Sequence, residues 1–576
     1  GIFGYITKNK INNDKTKLLY DNFMLIKHRG PDHSSFNNYN NNIIIGFHRL
    51  SIINPSIIGN QPFILYNEYK NTTIVFVCNG EIYNFKELIK EYDLDIGRND
   101  CLTIPKLYLK LGYEKFIKLF NTTIKGEYVF MLYEFDNNNK LTNLIVGRDM
   151  IGIRPLYYSE YNDEFIFGSE IKSCILNSDN IVKEFPPGHI INFEFNENYE
   201  CIIKDRYNFK DIYDIKPVIK SELDYLKKIE NTITTSIISK LDADQPIAFL
   251  LSGGIDSSLV AALAQQVYNR QIKTFCCGMN YGSDFKYAKM VADHIGSDHT
   301  EVLFTEEEAL NAIDDVIYTT ETWDVTTIRA SVGQYLVSKY ISENTDAKVL
   351  FVGEGPDEVC SSYLFNWYTP DPSLIHKTAM EYVDEIHYFD VKRADRCISR
   401  WSLEARVALL DPEFIKAYWE IPSEYRDPKY KNIEKWWLRK TFSRFKYLLP
   451  EEVFWRKKEA FSDGISSTEK SWFQIIQEHI KEKYNMEEKD YYKQKFIEFF
   501  GENRLNVIPH YWQPKWDKDG NENTNYIDPS ARTLDIYEHD NQLIETIIDE
   551  PPPPINELFN RLIEQDNDEQ KKCVII

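Results

Sequence analysis

Ser252-Gly253-Gly254-Ile255-Asp256-Ser257-Ser258 follows a short apolar run, residues 246–251, and precedes a stretch of helical spacing, residues 259–268. A strand that ends in two glycines and opens a helix exposes backbone N–H groups at the helix N-terminus, which suits phosphate. Ser252, Ser257 and Ser258 add hydroxyl donors. Asp256 would repel phosphate unless a cation lay between them, so its presence implies Mg²⁺. No Gly-Lys-Ser/Thr follows, which excludes a Walker loop. Gly353-Glu354-Gly355-Pro356-Asp357-Glu358 follows a second apolar run, residues 348–352. A further run lies at 273–277, and helical patterns separate the three. That alternation predicts a parallel sheet covered on both faces. Ligands gather at the carboxyl ends of such strands. Both loops are therefore expected at one cleft, with Asp357 sharing the metal and Glu354 serving as general base. Alone, the first loop also reads as a plain strand–helix joint and the second as an acidic surface turn; together they favour a site. The segment Trp455-Arg-Lys-Lys-Glu-Ala-Phe-Ser-Asp-Gly464 concentrates cations, and a lysine there could neutralise the β- and γ-phosphates.

Upstream, the first ~200 residues consist of short β-branched and aromatic runs between Asn/Gly turns, at 42–47, 73–78, 128–134 and 144–147. Residues 11–27 carry a helical period, and the apolar opening, residues 1–6, reads as a buried strand. This is a strand-rich α+β domain. The pattern turns polar over 205–220, and helical spacing starts at 222. The expected domains are 1–205, 220–516 and a mobile acidic tail, 517–576, interrupted by Pro551–Pro554.

The 576 residues are 43% apolar and 27% charged, with a net charge of −22. This is a globular composition and a poor one for nucleic acid or anionic lipid. No run approaches the ~18 apolar residues of a membrane span. Nine cysteines are scattered without a CxxC pair, which points to reduced thiols in a cytoplasmic protein. Cys573-Val-Ile-Ile576 has the outline of a prenylation motif, but Ile is not a typical last residue.

Three segments of the first domain describe an amino-acid pocket. Arg49, in Arg49-Leu50-Ser51-Ile52-Ile53, can hold a carboxylate bidentately. Glu81 and Asp100 can hold an α-ammonium. The Asn79 amide and the Gly80 N–H are suitable oxyanion donors. Each has a bland reading; Asn-Gly is the commonest hairpin turn.

These motifs occur in one order, and the chain resembles glutamine-hydrolysing asparagine synthetases over nearly its whole length, to about Trp516. The matching blocks include Gly1-Ile-Phe-Gly4, His28-Arg-Gly-Pro-Asp32, Arg49–Ile52, Asn79-Gly-Glu-Ile-Tyr-Asn84, Ser252–Ser258, Glu321–Ser331, Gly353–Val359 and Arg456–Gly464. The phosphate loop resembles that of enzymes that split ATP into AMP and pyrophosphate. The resemblance implies an N-terminal-nucleophile hydrolase domain (αββα) followed by an α/β parallel-sheet synthetase domain of the ATP-pyrophosphatase type. It implies that Arg49 to Ile53, Asn79, Gly80, Glu81 and Asp100 line a glutamine pocket. Leu250, Cys277, Val352 and Gly353 would contact ATP, and Ser252, Gly253, Gly254 and Ser257 would hold pyrophosphate. Asp256 and Asp357 would hold Mg²⁺, and Lys458 the phosphates. Glu321, Thr326, Thr327, Arg329, Glu404 and Arg406 would form the aspartate and interdomain region. The implied reaction adenylates aspartate on its β-carboxylate and transfers ammonia from glutamine to that adenylate, with Glu354 deprotonating the ammonia. Partners are small molecules, with a homodimer as the assembly.

The resemblance also implies a nucleophilic Cys immediately before Gly1, the first residue here. An inactive glutaminase feeding on free ammonia is the alternative. Val352 and Pro356 stand where the family usually has Ser, and Ala408 where it has Pro. A β-lactam-synthetase-like enzyme, which also adenylates a carboxylate, is the rival on the same scaffold.

Overall fold

The computed structural model describes residues 1–212, 215–268, 270–279, 282–456, 466, 470–517 and 519–523. Lys458, Cys573 and nearly all of the acidic tail lie outside these residues. The first part has twelve strands: β1 Ile2–Thr7, β2 His33–Tyr39, β3 Ile43–Arg49, β4 Phe63–Asn67, β5 Thr72–Ile82, β6 Gly126–Phe135, β7 Leu141–Arg148, β8 Tyr157–Tyr161, β9 Glu164–Gly168, β10 Lys183–Glu184, β11 His189–Phe195 and β12 Cys201–Asn208. They form two antiparallel sheets, ordered β10-β8-β9-β1-β3-β2 and β12-β11-β7-β6-β5-β4.

Period-2 alternation explains the layering. Ile2 and Ile6 of β1, Val75 and Val77 of β5, and Val129 and Met131 of β6 share the core between the sheets. Phe3, Tyr5, Ile74 and Phe76 point the other way. There they meet the helix Asn13–Met24 on one side and the helices Phe85–Tyr92 and Thr103–Leu111 on the other. The result is helix, sheet, sheet, helix. Each fully buried aliphatic side chain contributes roughly 1.5–3 kcal/mol. The sandwich continues to Asn208, slightly past the expected edge at 205, because β12 stays paired to β11.

The second part is built on five parallel strands, β13 Ile247–Leu250, β14 Lys273–Gly278, β15 Asp298–Leu303, β16 Val349–Val352 and β17 Glu404–Val407, ordered β15-β14-β13-β16-β17. Successive strands step outward from β13 to one side and then restart on its other side, which puts the topological switch point between β13 and β16. The Phe249 and Phe351 rings of these two strands stack 4.9 Å apart. The helix after β13 runs Ile255–Val267, four residues earlier than the apolar spacing predicts. Gly253, at φ +74°, makes the turn that lets it start there. No described helix is long and apolar enough to cross a membrane.

Candidate functional site

Two cavities hold most of the residues singled out in the sequence. The smaller, about 70 Å³, lies where the first part of the chain meets the second: Arg49, Leu50, Ile52, Ile53, Asn79, Gly80, Glu81 and Asp100 line it from the first, and Asp395, Leu403 and Glu404 from the second. Ser51 does not line it; its N–H donates to Asp32 Oδ2 at 2.8 Å. Arg49 does not point its fork into open space. Its Nη1 donates to the Ser56 carbonyl (2.7 Å) and Asn60 Oδ1 (2.8 Å), and its Nη2 to the carbonyls of Ile53 (3.3 Å) and Asn54 (2.5 Å). In this conformation it moulds the loop that roofs the cavity.

Asn79 and Gly80 lie inside β5, so the hairpin-turn reading does not apply. The Asn79 Nδ2 is buried and makes no hydrogen bond, a donor held ready against the cavity. Gly80 has φ +144°, and a Cβ there would fall 2.0 Å from the Glu127 carbonyl on β6. Only glycine lets the two strands close at this point.

Glu81 and Asp100 are both buried. Burial pushes Asp100 up to about 6, against the pull of the Ile82 N–H that it accepts at 2.9 Å. Burial, and then the Asp100 charge, push Glu81 well above the usual carboxylate range; Arg406, 3.8 Å away, opposes them. Two buried carboxyls with raised affinity for a proton are poised for a cation.

The larger cavity, about 280 Å³, opens at the switch point. Leu250, Ser252, Gly254, Asp256, Ser257 and Cys277 line it on one side, and Gly353, Glu354 and Asp357 on the other, with Thr326 and Arg329 beyond. Gly253 and Val352 stand behind this lining. A Cβ on Gly253 would meet Tyr287 Cβ at 2.4 Å, so glycine is needed for the helix Ser283–Ile295 to pack close. Val352 ends β16, paired with Val407. A Cβ on Gly353 would lie 2.9 Å from the Ser257 N, so the two loops nearly touch. The Ser252 N–H donates to Ser257 Oγ at 3.1 Å, folding the phosphate loop onto its own helix N-terminus.

Lys435 bridges the two metal-candidate carboxylates: its Nζ pairs with Asp256 and with Asp357 at 2.6 Å. Burial lowers its pKa, but the two charges outweigh burial and the net shift is upward. Asp256 and Asp357 therefore face one point. Two hard oxygen donors suit Mg²⁺ that takes its other ligands from phosphates and water. Among the described residues no cluster of three or more His, Cys, Asp or Glu suits a metal. Lys435 was not legible in the sequence: it carries no motif and reaches the site from the left-handed turn before the helix Trp436–Ser443.

Glu354 accepts a hydrogen bond from Gln334 Nε2 at 2.9 Å. Burial raises its pKa, Arg393 at 3.5 Å opposes this, and Asp390 adds to it. A carboxyl shifted upward in a cleft is a better proton acceptor than a free one, which suits a general base.

The remaining predicted residues divide between the cavities and the domain contact. Thr327 donates through its N–H and hydroxyl to Asp324, both at 2.7 Å, so that Asp324 caps the helix Val325–Asn344. Glu321 accepts from the N–H groups of Ile171 and Lys172 (2.8 and 2.9 Å), across the two parts of the chain. Glu404 lines the smaller cavity, and Arg406 beside it donates to the Asp242 carbonyl at 2.9 Å. Arg29 adds a bidentate bridge to Asp395, both contacts 2.8 Å.

The family model for the glutamine amidotransferase domain matches residues 1–225, and that for asparagine synthase matches residues 228–379 and 369–520. "Asparagine synthetase [glutamine-hydrolyzing]" of Cricetulus griseus is 37% identical over 556 residues, covering 89% of this chain and 95% of that protein. The proteins of the same name from Homo sapiens and Mus musculus are each 37% identical over 557 residues, with the same coverage. With both halves matched in one chain and in this order, the chain belongs to the family of glutamine-hydrolysing asparagine synthetases.

Proposed function

We propose that the chain makes asparagine from aspartate, glutamine and ATP, releasing glutamate, AMP and pyrophosphate. The observation that carries the synthetase half is the convergence of the Ser252–Ser257 and Gly353–Asp357 loops at the switch point between β13 and β16. ATP would lie across this point. Its adenine end would reach Leu250 and Cys277, with Val352 behind this lining, and its phosphates the N-terminus of the helix Ile255–Val267. Asp256 and Asp357 would hold Mg²⁺, which when bound would offset phosphate charge. Lys435 would then turn from the carboxylates to the phosphates, with Lys458 as the expected second cation. Thr326 and Arg329 would orient aspartate so that its β-carboxylate attacks the α-phosphorus and pyrophosphate leaves. Adenylation turns a poor acyl donor into a good one. Glu354 would take a proton from the ammonia that attacks this acyl carbon, and AMP departs with the former carboxylate oxygen.

In the first domain, Glu81 and Asp100 would pair with the α-ammonium of glutamine, and Asn79 Nδ2 and the Gly80 N–H would stabilise the oxyanion. Residues 50–53, which lead into the loop that Arg49 shapes, would close over the substrate. The nucleophile would be the family's N-terminal thiol, preceding Gly1. Gly1 N donates to the His48 carbonyl at 2.7 Å, and His48 borders the same cavity. Glu321, Glu404 and Arg406 would hold the domains in register, with 1–205 and 220–516 as the two catalytic units. The eight described cysteines are all free thiols, in keeping with a cytoplasmic enzyme, which we take to act as a homodimer.

The test is asparagine formation with ATP, Mg²⁺ and aspartate, using ammonium or glutamine as nitrogen source. Pyrophosphate release that requires aspartate and yields asparagine supports the reading. Release without asparagine favours a ring-closing carboxylate-adenylating enzyme. Synthesis with ammonium but not glutamine in the native protein favours an inactive glutaminase.

A further inference from the structure

One wall of the larger cavity comes from far downstream. Trp512 and Pro514 line it together with Glu354 and Thr326. The Trp512 N–H donates to Asp324 Oδ1 at 2.7 Å. Asp324 is also the cap of the helix that carries Thr326 and Arg329. The next carbonyl, that of Gln513, accepts from the Tyr382 hydroxyl at 2.8 Å. The indole packs on Tyr363, ring centroids 5.0 Å apart, with Tyr382 at 5.9 Å and Phe365 at 6.3 Å. The Tyr363 hydroxyl in turn donates to Glu358, on the loop that carries Glu354. An aromatic plate is thus pinned on one side to the Thr326 helix and on the other to the Glu354 loop. Trp512 is 5% exposed, and nothing in the phosphate or proton chemistry above uses it.

We infer that Trp512 is the end wall of the acceptor subsite and sets the length of the amino diacid that is adenylated. The inference rests on the aspartate reading of this cavity. On that reading Thr326 would hold the acceptor from one side, beside Arg329, whose Nε and Nη2 donate to Glu488 (2.8 and 2.5 Å), and the α-phosphate fixes where the reacting carboxylate must lie. The wall then limits the carbon chain between them. Glutamate, longer by one methylene, either presses on an indole backed by Tyr363 and Tyr382, on a backbone anchored to Asp324, or carries its γ-carboxylate past the α-phosphorus. A rigid apolar wall discriminates one methylene by roughly 10–200-fold.

The test measures pyrophosphate release with ATP, Mg²⁺ and ammonium chloride, with aspartate or glutamate as acceptor, in the parent protein, Trp512→Phe and Trp512→Ala. Ammonium makes the result independent of the glutaminase. The expected result is a strong preference for aspartate in the parent. In Trp512→Ala the ratio of kcat/KM for aspartate over glutamate drops tenfold or more, and in Trp512→Phe at least threefold, while KM for ATP stays within twofold. Thermal unfolding by circular dichroism checks that the variants fold. Should Trp512→Ala not fold, Trp512→Phe, which keeps most of the ring packing, decides alone. An unchanged ratio in a folded variant of an active parent overturns the inference and leaves the function standing. A parent that releases no pyrophosphate with aspartate overturns the function and the inference with it.

Discussion

Asp100→Asn should make the protein more stable and less useful. Asp100 is buried, and its pKa stands at about 6 against 3.8 for a free carboxyl, with burial as the main cause. The folded state therefore binds this proton more tightly than the unfolded state. Stability contributed by the group is lost as pH rises from about 3.8 to about 6, and the loss is complete above that window. At ~1.4 kcal/mol per unit, the ionised carboxylate costs about 3 kcal/mol at pH 8 and about half as much at pH 5. Asparagine keeps an acceptor for the Ile82 N–H, bonded at 2.9 Å, and carries no charge to desolvate. It also relieves Glu81, whose pKa Asp100 helps to raise. The variant should gain about 3 kcal/mol at pH 8 and roughly half of that at pH 5. Hydrogen exchange of the β5 amides, followed by mass spectrometry at both pH values, reads this gain in the first domain alone. Glutamine at a hundred times its dissociation constant should protect the parent by a further ~2.7 kcal/mol and protect Asp100→Asn far less. A variant no more stable than the parent at pH 8, or a gain that does not grow with pH, would refute the reasoning.

Three further outcomes follow from the same geometry. Gly80→Ala places a Cβ 2.0 Å from the Glu127 carbonyl at φ +144°; it should cost about 3 kcal/mol and abolish glutamine hydrolysis while ammonium-dependent synthesis persists. Gly353→Ala, whose Cβ meets Ser257 N at 2.9 Å, should push the two phosphate loops apart and raise KM for ATP about tenfold, equivalent to ~1.4 kcal/mol. Lys435→Met removes the cation between Asp256 and Asp357. It should slow pyrophosphate release about 10²–10³-fold, with glutamine hydrolysis retained.

The parts legible in the sequence are those in which a local pattern and a tertiary role coincide. The apolar runs before Ser252 and Gly353 are strands because both their faces are covered, and their glycines mark the loops where ligands gather. The apolar spacing starts the helix at 259, too late, because its first turn, after the Gly254 cap, holds one apolar residue, Ile255, followed by Asp256, Ser257 and Ser258. Asn79-Gly80 looks like a turn and is a strand, since the neighbouring β6 backbone, not the dipeptide, sets the conformation. Arg49 looks like a ligand clamp, yet four loop acceptors take its donors. Lys435 and Trp512 were invisible: each reaches its cavity through long-range packing, and no spacing in the chain encodes that meeting.

The most direct measurement follows an oxygen atom. Aspartate labelled with ¹⁸O in its β-carboxylate is turned over with ATP, Mg²⁺ and ammonium, and the nucleotide is examined by mass spectrometry. Attack of that carboxylate on the α-phosphorus at the β13–β16 switch point predicts one ¹⁸O in AMP for each asparagine formed. Unlabelled AMP, with the label in pyrophosphate or inorganic phosphate, would contradict it.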